Sequence, residues 1–178
     1  MTGKDCFSRY RRQHAWAQLA RTFLAVAASA TLLATLGAAT PKGAGTLLGS
    51  WQFNPTKSSF RGASPYRSAT YTFKDTEHGV HVVAHIIEGR NRTLHFEYVD
   101  RMDGSFVPVD GNPFYDSEST VWKDAYTAER RERRGGEVTG TTVMTVAKDG
   151  RSFTATASRT LPRGGVYTST IVWNRIDP

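Results

Sequence analysis

Turn-forming groups recur along this chain at a spacing that leaves room for strands and none for packed helices. They are NPTKSS (54–59), KDTEHG (74–79), EGRN (88–91), DRMDG (100–104), DGNP (110–113), RRGG (133–136), KDG (148–150) and PRGG (162–165). The runs between them are short and rich in Val, Ile, Thr, Tyr, Phe and Trp, which is how consecutive β-hairpins read. The pattern predicts strands near 47–53, 66–73, 80–87, 92–99, 105–109, 117–124, 126–133, 137–147, 152–160 and 166–175. No stretch beyond the N-terminal segment repeats its apolar residues every 3.6 positions, so parallel βαβ folds and their nucleotide sites are excluded. The glycine-rich GAGTLLG (43–49) has the wrong spacing for either phosphate loop.

Alternation is clearest in the hairpin spanning 79–99. Val80, Val82, Ala84 and Ile86 share one strand face, and Leu94, Phe96 and Tyr98 continue it on the return strand. Ala69, Tyr71 and Phe73 repeat the pattern. One apolar face against one polar face places an antiparallel sheet over a core. Farther along, EVTGTTVMTVA and SFTATASRT carry Thr on both faces, and inside cannot be told from outside there. A sandwich alternates more cleanly, whereas a barrel with a partly polar interior need not. With no helix to cover sheet edges, closure is the economical way to hide them. The expected fold is all-β, an antiparallel up-and-down barrel of about 8–10 strands.

The N-terminus reads differently. Lys4, Arg9, Arg11, Arg12 and Arg21 precede an uncharged run from Phe23 to Ala39, and Gly37 and Ala39 fit a small-x-small cleavage site. This is the form of a signal peptide over 1–39, expected as a helix. An uncleaved anchor is the rival, the only route by which the chain would meet a membrane. The run is short and diluted for a spanning helix of about 20 apolar residues. A flexible lead-in over 40–46 and one barrel domain over 47–178 complete the organisation. The leader carries five of the 23 Lys+Arg and one of the 16 Asp+Glu, which leaves 18 against 15, so the formal +7 falls to +3. That balance gives no support for nucleic-acid binding. The single cysteine, Cys6, lies in the leader, so the remainder forms no disulfide and no thiolate metal site. Periplasmic or secreted localisation follows, and a monomer is expected.

Gly49-Ser50-Trp51 on the first strand resembles the Gly-x-Trp signature of the lipocalins, within the calycin group of ligand-binding barrels. The resemblance implies that Trp51 closes one barrel end, with Gly49 beside it and Arg175 from the last strand laid across the indole. GSWQFNPTKSSF, DGSFVPVDGNP and KDGRSFTAT are together similar to small exported bacterial lipocalin-like proteins. The sequence departs from lipocalins in lacking a disulfide. Segment 54–65 is too short for the helix-turn-helix lid of fatty-acid-binding proteins.

Candidate chemistry is sparse. His78, His81, His85 and His95 lie away from the apolar face, and none completes the three or four ligands of a zinc site. ERRERRGG (129–136) is the strongest charge feature, with Arg130, Glu132 and Arg134 on one face and Glu129, Arg131 and Arg133 on the other. It reads as a solvated hairpin end. The sharper alternative sends Arg131 and Arg133 inward as an anion contact at the barrel mouth. No catalytic motif is present, so neither an enzyme nor a cofactor or metal is expected. The leading expectation is a small hydrophobic or amphipathic ligand lined by Tyr71, Phe73, Val82, Ala84, Ile86, Leu94, Phe96 and Tyr98. The alternative is an envelope-interaction or structural barrel with a filled core and no ligand.

Overall fold

Alternation of bulky β-formers with Thr and Ser drives the chain into ten antiparallel strands. The computed structural model describes residues 44–61, 66–89, 92–161 and 164–176. The leader at 1–39 and its expected helix lie outside them. One helical turn, α1 (Ala44–Leu47), precedes β1 (Gly49–Phe60), β2 (Tyr66–Thr76), β3 (Gly79–Glu88), β4 (Thr93–Asp100) and β5 (Val107–Pro108). Then follow β6 (Ser117–Trp122), β7 (Thr127–Arg134), β8 (Glu137–Val146), β9 (Ser152–Thr160) and β10 (Val166–Arg175).

The strand order is β4-β3-β2-β1-β10-β9-β8-β7-β6-β5, so each strand pairs with its sequence neighbour and the first pairs with the last. That is an up-and-down barrel, open only where β4 meets β5 and β6 without a hydrogen-bonded ladder. Side chains of the connecting segment occupy the seam: Met102, Val107, Val109 and Tyr115 are buried, and the Tyr115 ring meets Phe96 edge-on.

Two details depart from the sequence reading. NPTKSS does not end β1. Asn54 pairs with Val172 and Ser59 with Thr170, so residues 55–58 bulge from a continuous strand. Asn54 Oδ1 accepts from the amides of Thr56 and Lys57, and the Ser58 hydroxyl accepts from the Val172 amide, so local Asx chemistry satisfies the bulge. Second, of the residues expected as a flexible lead-in, Thr46 is tied to the barrel. Its carbonyl accepts from Arg175, and its hydroxyl donates to the Ala125 carbonyl.

The end carrying Gly49 and Arg175 is plugged. Trp51 is wholly buried, its indole N–H donates to the Leu47 carbonyl (2.8 Å), and Phe153 meets its ring edge-on at 4.9 Å. Trp51 pairs with Arg175 across β1 and β10, and the guanidinium carbon lies 4.2 Å from the indole centroid. Arg175 also donates to the carbonyls of Leu48 and Gly150 (both 2.8 Å), so one cation ties three chain segments over one ring. Gly49 has φ +118°, a conformation closed to a β-carbon, at the point where α1 gives way to β1.

Candidate functional site

Opposite that plug the strands end around an open mouth. On the inner face of β6–β10, cross-strand pairing lays down a row of Glu118, Glu132, Gly140, Arg159 and Tyr167. The next row inward is Thr120, Arg130, Thr142, Ala157 and Ser169, continuing to Phe60 on β1. The barrel therefore carries a charged belt beneath its mouth and an aromatic core below it.

The belt is ion-paired within itself. Arg159 forks onto Glu132, with Nε 2.6 Å from Oε2 and Nη2 2.8 Å from Oε1. Arg130 donates to Glu132 Oε1 at 3.0 Å and lies 3.7 Å from Glu118 Oε2. Gly140, which stands between Glu132 and Arg159, makes this reach possible. A β-carbon there would sit 2.6 Å from Glu132 Oε2 and 3.0 Å from Arg159 Cγ. Ala155 and Ala157 keep the inner face of β9 equally shallow.

The two glutamates titrate in opposite directions. Burial alone would raise Glu132, but the hydrogen bonds from Arg159 and the charge of Arg130 outweigh it and hold the carboxyl below its usual range. Glu118 is 0% exposed, and its carboxylate has only Arg130 at 3.7 Å and the nearby Tyr98 hydroxyl to favour its charged form. Burial pushes it up to about 7, with Asp100 adding repulsion and Arg130 only partly offsetting both. Asp100 is itself raised by burial, although its carboxylate accepts from the Met102 amide at 2.8 Å.

A stability prediction follows from Glu118. An acid that titrates near 4.5 when unfolded and near 7 when folded stabilises the fold most below pH 4.5. That contribution is lost as pH rises through 7, on the order of 3 kcal/mol at 1.4 kcal/mol per pH unit. Glu118→Gln should remove this slope, so the variant gains on the parent between pH 5 and pH 8 in denaturant midpoints. Equal gains at both pH values would show that Glu118 is ionised throughout.

Two voids lie within and above the belt. The inner one, about 40 Å³, is walled by Tyr71, Phe73, Arg130, Thr142, Phe153 and Trp173, among others. The outer is an open cleft of about 820 Å³, with Phe60, Phe114, Leu161, Tyr167, Ser169 and Arg134 among its walls. Tyr66, Arg159 and Ile171 border both. Four polar atoms here find no partner among the described residues: Ser169 Oγ and the Tyr167 hydroxyl at the cleft, and Thr142 Oγ1 and Arg130 Nε at the inner void.

Several sequence expectations are corrected by this geometry. Arg131 and Arg133 do not enter the mouth. Arg131 is exposed and bonds Glu129 (3.0 Å), and Arg133 covers the Phe106 ring at 3.5 Å. The opposite row, Arg130 and Glu132, turns inward because Glu118 and Arg159 await it from neighbouring strands. Gly135 and Gly136 form a two-residue turn, with φ +60° and +89°. A one-residue bulge on β8 then pairs Arg133 with Val138 but Arg131 with Thr141.

Of the eight residues expected to line a ligand, Tyr71 and Phe73 border the inner void. Val82, Ala84, Ile86, Leu94, Phe96 and Tyr98 are buried in the β3–β4 wall and border neither void. Asp100, at the head of the turn-forming group 100–104, is 1% exposed. Glu118, Glu132 and Arg159 were absent from the expected site. Their signal was the run of small residues, Gly140, Ala155 and Ala157, alternating with Thr. His85 faces His95 across β3 and β4, and His81 meets Glu97 at 3.3 Å. Among the described residues no three His, Cys, Asp or Glu side chains gather as a metal site.

No protein-family model matches this sequence, and no curated protein matches it. Among solved structures, it is similar to a zebrafish ileal bile acid-binding protein crystallised with cholic acid, with a TM-score of 0.45 and 8% identity. The match covers 74% of this chain and 99% of the zebrafish chain.

Proposed function

We propose that this chain is an exported, lipocalin-like barrel that binds a small hydrophobic or amphipathic molecule at its open mouth, without a catalytic step. One observation carries the reading: the apolar-walled cleft of about 820 Å³ above a packed core. Ligand sites of roughly 300–1,000 Å³ with mostly apolar walls and a few convergent polar groups suit a drug-sized guest. The guest's body would lie against Phe60, Tyr66, Phe114, Leu161 and Ile171, driven by apolar burial. Export rests on the leader alone. The filled barrel without a guest is favoured by the inner void of about 40 Å³, too small for such a molecule.

Two measurements separate the readings. Native mass spectrometry of the exported protein should find a co-purified small molecule. Nile red should bind saturably, and Phe114→Ala with Leu161→Ala should weaken it about tenfold, the effect of losing roughly 50–60 Å² of apolar contact at 25 cal/mol per Å². No co-purified molecule and no saturable dye binding would leave the filled barrel standing.

A further inference from the structure

We infer that the end of the ligand reaching into the barrel is an uncharged hydrogen-bonding group, a hydroxyl or an amide, and that the site discriminates against the matching carboxylate. This rests on the binding reading above and narrows it to a ligand class.

Two guanidiniums beneath the mouth invite the opposite conclusion, but both are already ion-paired, and of their donors only Arg130 Nε stands as a buried atom without a partner among the described residues. Glu132 takes two hydrogen bonds from Arg159 and one from Arg130, and Glu118 stands on the far side of Arg130. Two half-buried cations thus face two buried acids, with buried Asp100 as a third. A guest carboxylate would enter without a free counter-charge and would lose its hydration, which is costly in a low-dielectric interior. Arg134 also borders the cleft, but it is exposed, its Nη1 donates to the Pro113 carbonyl, and water screens it.

The open hydrogen-bonding capacity is of another kind. Ser169 is 5% exposed, lines the cleft, and its hydroxyl has no partner among the described residues. Tyr167, two residues away on the same face of β10, presents a second unpartnered hydroxyl. Thr142 presents a third in the inner void behind them, and Ala157 between Thr142 and Ser169 fills none of the space. Hydroxyls donate and accept equally well, which suits an alcohol or an amide. A buried polar group left unpaired is destabilising, so a guest that pairs Ser169 binds better than one that does not.

The test is competition against Nile red at pH 8 with 1-decanol and with decanoate below its micelle concentration. Decanol should compete at about one-tenth the concentration of decanoate, a discrimination typical of an unpaired buried polar or charged group. Ser169→Ala should shrink that preference about threefold or more. Glu132→Gln, which frees guanidinium donors, should move it toward decanoate. Where that variant does not fold, the Ser169 result stands alone. Nile red binding with decanoate equal to or better than decanol overturns this inference and leaves the binding reading intact. Absence of saturable Nile red binding overturns both.

Discussion

Glu132→Ala should destabilise the barrel by about 3–5 kcal/mol, the cost of leaving buried charge unpaired. The carboxylate is 1% exposed and holds both Arg159 and Arg130, so truncation strands one guanidinium entirely and leaves the other with Glu118 at 3.7 Å. Glu132→Gln keeps an acceptor and should lose less. Replacing the pair together, Glu132→Leu with Arg159→Met, should recover most of the loss, because a buried ion pair is often no better than apolar groups of equal volume. Urea unfolding of the three variants checks this. An alanine variant within about 0.5 kcal/mol of the parent, the range of ordinary surface substitutions, would show that water reaches the belt.

Trp51→Ala should cost about as much, 3–5 kcal/mol, by opening a large cavity at the closed end. The indole is 0% exposed and touches Phe153, and it anchors Leu47 through its N–H. Trp51→Phe should lose less, since it keeps an aromatic plug but gives up the hydrogen bond and part of the surface beneath Arg175. The cation–π term is separable by a double-mutant cycle with Arg175→Ala, where about 0.5–2 kcal/mol of coupling is expected. A coupling of zero would mean that Arg175 acts through its other contacts, among them the carbonyls of Thr46, Leu48 and Gly150.

The two ends of the barrel thus differ in kind. One is closed by an aromatic ring under a guanidinium, with its contacts distributed over α1, β1, β10 and the β8–β9 turn. The other stays open because its inner row is charged and small rather than bulky. Gly140, Ala155 and Ala157 give the arginines room to lie across the strands, and the same shallowness leaves space at the mouth. Guest binding is tested by the experiments above, and the stability variants probe the scaffold independently of it.

Much of the architecture was legible before any coordinates. Turn residues at short intervals, with runs of Val, Thr and aromatics between them, depend on local backbone preference. The ten expected strands are the ten observed, within a few residues except at β1, which runs on to Phe60 through its bulge. The inward faces of β2, β3 and β4 were legible because their apolar residues alternate strictly. Asn54-Pro55 was misread as a strand end because the same Asx chemistry serves a turn and a bulge, and only the partner strand decides between them.

What the sequence determined by itself was element type, the succession of hairpins and the faces whose alternation is unambiguous, since each depends on residues close together in the chain. What only the tertiary structure decided was which arginine row of β7 turns inward. Burying Arg130 and Glu132 is tolerable only with Glu118 and Arg159 beside them, and those partners come from β6 and β9. Desolvation of a charge is settled by everything that surrounds it in space, and local sequence does not record those surroundings.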